Sequence, residues 1–252
     1  YRRVDKLIGK ILGEVVAESK RSVKVIIVSD HGFRRVTRRF YVNTWLEKEG
    51  FLKIKSSKSI LLRIGIDAEK IRLIMKKIGL KGIVGTIERS ELVKFLLKIV
   101  PSSSHQYLFA ADWSNTKAFF YRGSSGLIKV NLKGREPLGN VDPKEVKYVV
   151  NELKVKFKKV RDPLTDTNVF KSILSKDELG IDSQEFPELI LIPNKEYELL
   201  DYSISGVLFE DIKNRPGDHD FYGIFMSNFI PLTRIEVVWD VGKLIKRVLL
   251  EL

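Results

Sequence analysis

The stretch KVIIVSDHGF, residues 24–33, is a β-branched apolar run that ends on Asp30, His31 and Gly32. A carboxylate and an imidazole are suitable ligands for zinc or a similar divalent ion. Neighbouring strand residues point to opposite faces, so the two can serve one ion only where the strand ends and turns. Gly32 permits such a turn. His31 is one of three histidines, with His105 and His219, and the chain has no cysteine. Disulfides and thiolate zinc sites are therefore excluded, and any metal must sit on His, Asp or Glu. By itself the Asp-His dipeptide is a weak signal, since a loop histidine is structural more often than ligating. Three scattered histidines give no Ser-His-Asp constellation either, and Asp5 and Asp201 have no ligand context.

The elements that must position this pair follow from periodicity. From Val4 to Lys20, apolar residues at Val4, Leu7, Ile8, Leu12, Val15 and Val16 recur at helical spacing. SVKVIIVSD then reads as a buried strand, and helix followed by buried strand is the doubly wound α/β pattern, whose ligands bind at the strands' carboxyl ends. YVNTWLEKEGFL reads as a short helix ended by Gly50. Residues 56–100 are mostly helical, basic and interrupted by Gly65, Gly79, Gly82 and Gly85; PSSSHQY at 101–107 is a linker, with His105 exposed in it. KAFFYRG and GLIKVNL are short β-like runs before the turn-rich KGREPLGNVDP. A helix follows over 143–160, then strand candidates ELILIPN and GIFMSNF, and a closing helix in VVWDVGKLIKRVLLEL.

The 252 residues carry a net charge of +13, which raises nucleic acid as a partner. The charge is spread out, however. In KEVKYVVNELKVKFKKV the residues Val146, Val149, Val150, Leu153, Phe157 and Val160 form an apolar helical stripe, with the lysines mostly off it. That is a solvated face, so nucleic acid stays an unfavoured alternative. RRVTRR at 34–39 is denser; it either holds a phosphate-rich ligand or decorates a surface loop. No stretch approaches membrane-spanning length and the N-terminus is not a signal peptide. With few methionines and much lysine and glutamate, the composition leans toward a thermophile, and the expected location is cytoplasmic.

VIIVSDHGF followed by FYVNTWLEKEGFL resembles the type I phosphodiesterase/nucleotide pyrophosphatase family of the alkaline phosphatase superfamily, especially its archaeal members. DWSNTKAFFYRGSSGLIKVNLKGREPLGNVDP at 112–143 and GDHDFYGIFM at 217–226 fit the same group in the same order. The resemblance implies an α/β fold: part of an alkaline-phosphatase-like sheet with helices on both faces, plus a smaller, mostly helical insertion. Residues 1–52 would be the first part of the catalytic core, 53–105 the basic insertion, and 106–252 the remainder with a β-hairpin region. The implied activity is metal-dependent hydrolysis of phosphodiester or nucleotide pyrophosphate bonds.

Two divalent ions are implied, zinc by expectation, with manganese or magnesium as alternatives. Asp30 and His31 would be ligands of one ion and His219 of the other, although Asp220 follows His219 where the family usually has a basic residue. Lys117, Asn131 and Arg135 would contact the phosphate-ester or nucleotide substrate, or the block that holds them is simply a hairpin. The family's Thr or Ser nucleophile and a further Asp-x-x-x-His pair precede the helix that here opens with YRRVDKLIGKIL. The chain thus reads as a C-terminal portion, inactive alone, completed by the N-terminal half of the same domain or by a partner chain. The alternatives are a non-catalytic basic remnant binding nucleotide or nucleic acid, and a phosphomutase or sulfatase-like relative.

Overall fold

The computed structural model describes residues 2–19, 22–55, 111–121, 126–201, 203, 206–213, 216–231 and 234–250. The insertion expected over 53–105 lies outside them beyond Lys55, as does His105. In chain order the elements begin with α1 (Arg2–Glu18), β1 (Ile26–Val28), β2 (Gly32–Arg35), β3 (Arg38–Tyr41) and α2 (Val42–Lys48). Next come β4 (Ala118–Phe120), β5 (Leu127–Val130), α3 (Val146–Lys158), β6 (Phe170–Ser175), β7 (Leu189–Pro193) and β8 (Tyr197–Leu200). The last are β9 (Phe209–Asp211), β10 (Gly217–Asp220), β11 (Phe225–Ser227) and α4 (Val238–Leu250). The chain divides into two compact units. The first is Tyr1–Arg34 with His219–Leu252, and the second is Arg35–Asp218.

The second unit is built on the sheet β4-β5-β7-β6, whose pairings are all antiparallel. Helix α3 buries the stripe its periodicity predicts, Val149, Val150, Leu153 and Phe157. The turn before it is fixed by Asp142 and Glu145, which form a reciprocal capping box around Pro143. Helix α2 buries Val42, Trp45 and Leu46, and Trp45 stacks on Phe157 with ring centroids 4.2 Å apart. Gly50 ends that helix region with φ 81°, a left-handed conformation that favours glycine. Strand β3 lies between β8, to which it runs parallel, and β9, antiparallel. Its register sets Arg39 opposite Glu198 on one side and Glu210 on the other.

In the first unit β1 pairs antiparallel with β11. The run at 22–30 was expected as a buried strand in a parallel sheet. It forms three strand residues and leaves Val28 exposed. β-Branched composition favours a strand, but burial on both faces needs neighbours that the local sequence does not specify. Helices and sheets are both present, so the broad α/β reading holds; among the described residues the strands form four small sheets. Helix α1 has its apolar stripe, yet none of its residues is buried, while α4 buries Val241 and Leu244.

Candidate functional site

Asp30 and His31 occupy the bend between β1 and β2, off the regular strand, the placement that sharing one ion would require. The approach is anchored by Ser29. Its backbone N–H donates to the Ile224 carbonyl at 3.0 Å, and its Oγ accepts the Ile224 N–H at 2.7 Å. Gly32 has no left-handed φ; its value is the absent side chain, because a Cβ would collide with the Tyr222 carbonyl oxygen. Gly223 is constrained the same way by the Ser29 hydroxyl. The glycine behind the Asp-His pair therefore serves close packing rather than the turn.

The imidazole of His31 is held in one orientation. Nδ1 lies 2.9 Å from the Gly32 carbonyl oxygen, which can only accept, so in the neutral ring Nδ1 is the nitrogen that carries the proton and Nε2 the one with the lone pair. Nε2 faces Asp30 Oδ2 at 3.5 Å, and Asp30 Oδ1 accepts the His31 backbone N–H at 3.1 Å. Two electron-pair donors facing each other need a cation between them, either a proton or a metal ion. Ligands bound tetrahedrally at about 2.0–2.1 Å lie about 3.4 Å apart, so the separation suits a shared ion. The Asp30 side chain is 86 % exposed and that of His31 34 %, which leaves the pair open to solvent.

Strand β10 pairs with β2 and brings in His219. The rings of His31 and His219 meet edge to face with centroids 4.1 Å apart. Arg34 Nε donates to the His219 carbonyl oxygen at 3.0 Å, fixing the backbone there. Asp220, the departure from the expected basic residue, turns its Oδ1 back to the Phe221 N–H at 2.8 Å. Phe33 borders both imidazoles, with centroids 6.1 Å from His31 and 5.8 Å from His219. Sequence reading passed it over, although its place two residues after His31 on an extended segment was the available signal.

The donor set fits a divalent ion in chemistry: one carboxylate and one lone-pair nitrogen at ligand spacing, with a second imidazole beside them. It is short in number. Among the described residues no group of three or more His, Asp or Glu is disposed to hold a metal ion.

Lys117, Asn131 and Arg135 belong to the second unit. Asn131 is buried, and its amide donates to the carbonyls of Trp113, Thr116 and Leu138 at 2.7, 2.9 and 3.1 Å, tying together the segments that precede β4 and follow β5. Arg135 bonds Glu188 Oε1 at 2.6 Å and the Val130 carbonyl at 2.6 Å. Burial works against its charge, but the hydrogen bond and charge of Glu188, aided by Glu136, raise its pKa above the ordinary value. Lys117 is exposed. The RRVTRR cluster is similarly engaged. Arg38 grips the buried Asp162 with two hydrogen bonds, at 2.7 and 2.9 Å, and reaches Asp211 at 2.6 Å. Arg39 bonds Glu198 at 3.0 Å. Those two guanidinium groups are thus engaged by carboxylates within the fold.

Residues 1–90 match the family type I phosphodiesterase / nucleotide pyrophosphatase, a group of phosphodiester and pyrophosphate hydrolases that is generally metal-dependent. The match holds Asp30 and His31 and runs on past residue 53, where the sequence offered no quotable motif. The blocks containing Lys117, Asn131, Arg135 and His219 lie outside it. No curated protein matches the chain, and no solved structure does. Among the described residues no helix is long and apolar enough to cross a membrane.

Proposed function

We propose that this chain carries part of the active site of a metal-dependent hydrolase of phosphodiester or nucleotide pyrophosphate bonds. Asp30 and His31 hold one divalent ion and His219 serves a second, zinc in the first instance, with manganese or magnesium as alternatives. The observation that carries the reading is the His31 imidazole: its Nδ1 proton is given to Gly32, and its Nε2 faces the Asp30 carboxylate at 3.5 Å. A carbonyl partner on the second nitrogen is how metal-ligating histidines are commonly oriented. When bound, such ions neutralise charge on a phosphoryl group and activate water for attack.

The chain's own residues bind and orient. Gly32 holds the tautomer, Arg34 fixes the backbone at His219, and the close approach at Gly32 and Gly223 keeps the bend rigid. Lys117 presents an ammonium that suits a phosphate, whereas the Asn131 amide and the Arg135 guanidinium are engaged by carbonyls and by Glu188 within the second unit. The nucleophile and remaining ligands come from the N-terminal half of the same domain or from a partner chain.

Calorimetric titration with zinc or manganese tests this on the chain itself. Binding should be lost in His31→Ala and weakened by at least about tenfold in His219→Ala. Equal affinity in the parent and His31→Ala would sink the reading.

A further inference from the structure

Helix α3 buries one stripe and carries a second ridge on its outer side. Tyr148, Glu152 and Val155 recur there at helical spacing, with Lys159 completing the row at the C-terminal cap. Tyr148 is 71 % exposed and Val155 55 %, so two apolar side chains stand in solvent on a helix whose inner stripe is already packed. Beside the ridge an open cleft of about 650 Å³ runs between α2 and α3, lined by Trp45 and Val160, both buried. Trp45 stacks on Phe157, which sets it near the Lys159 end of the ridge. Its indole N–H makes no hydrogen bond among the described residues, yet it is not sealed from solvent. The face therefore has an aromatic knob at one end and, at the other, a hollow with an unused donor.

We infer that this face docks a second copy of the chain through antiparallel pairing of α3. The order along the ridge is aromatic, acidic, apolar, basic. A two-fold axis crossing the ridge midway reverses that order in the facing copy. Tyr148 then stands level with the partner's Lys159 and reaches the cleft beside the partner's Trp45, where its hydroxyl can accept the unused indole N–H. Glu152 lies one helical turn from the partner's Lys159, about 6 Å along the axis and within reach of that flexible side chain. Among the described residues Lys159 makes no ion pair in its own fold. Every contact occurs twice, because the interface is isologous. One carboxylate and one ammonium balance along the ridge, which suits a copy of itself better than a partner of uniform charge. Parallel pairing would set like charges together.

Sedimentation equilibrium of the full chain tests this. The parent should show a monomer–dimer equilibrium that shifts with concentration. Glu152→Lys, and separately Lys159→Glu, places like charges together at both contacts and should weaken dimerisation at least about tenfold. Mixing the two variants should restore it, because the mixed pair brings Lys against Glu at both contacts. That recovery also shows that both variants are folded. Tyr148→Ala removes the knob and should weaken the dimer by at least about tenfold. A parent that stays monomeric at every concentration, single variants that dimerise as tightly as the parent, or a mixture that stays monomeric overturns the inference. A dimer formed through another face is indifferent to these two charges and gives the second of those results.

Discussion

The buried core cluster runs from Phe40 to Leu199, wholly within the second unit, whereas the first unit buries only Val241 and Leu244 among its described apolar residues. Polar chemistry divides the same way. In the second unit Arg38, Arg135, Asn131, Asp162 and Glu188 are tied to named partners inside the fold. In the first unit Asp30 and the ring of Phe33 face solvent. A side chain whose bonding is completed by its own fold stabilises that fold. One left open to solvent beside another donor is available to a ligand. The comparison teaches where to look for stability and where for chemistry.

The hardest blow to the second unit should come from its centre. Phe157→Ala removes the ring that stacks on Trp45 and meets Phe170 at 5.3 Å, and should cost about 3–5 kcal/mol in urea unfolding. The folded variant should keep its zinc affinity. A loss of affinity without a loss of stability would break the division between the units.

Next comes Asp162, where the effect should depend on pH. Burial pushes its carboxyl up, but hydrogen bonds from Arg38 and the Leu164 N–H, with the Arg38 charge, outweigh it, and its pKa lies below the ordinary carboxylate range. A group whose folded pKa is depressed contributes stability above its unfolded value and loses it as pH falls through the folded one. Asp162→Asn should therefore cost about 3 kcal/mol at neutral pH, because it leaves Arg38 without its buried counter-charge. The gap between parent and variant should narrow as pH drops from 5 toward 2. A gap independent of pH would mean that the carboxylate's charge is irrelevant. The smallest effect belongs to the first unit: Leu7→Ala, on the exposed stripe of α1, should change stability by no more than about 0.5 kcal/mol.

What could be read from the sequence was local. The four helices follow from apolar spacing, and the hairpin of β4 and β5 from two short apolar runs separated by a glycine-bearing turn. Strand β3 could not be read that way. Arg38-Arg39-Phe40-Tyr41 reads as a charged surface run until Asp162, Glu198 and Asp211, all distant in sequence, supply the counter-charges. The place of Asp30 and His31 at a strand end was legible because the apolar run stops at them. The nearness of His219 was not, since only the pairing of β2 with β10 creates it. The partners of Asn131 and Arg135 within the fold were not legible, because donors suited to a phosphate suit carbonyls and carboxylates equally well.

The ends of the second unit meet. Val36 donates its N–H to the Pro216 carbonyl at 3.1 Å, and Ile212 donates to Thr37 at 2.9 Å. Without that closure, bringing His31 to His219 would mean closing a loop as long as residues 35–218, whose length-dependent entropy is about 4–5 kcal/mol. The folded insert meets that entropy in advance and delivers Arg34 and His219 as neighbours. The insert could accordingly be exchanged for another of any length, provided that its two ends emerge side by side.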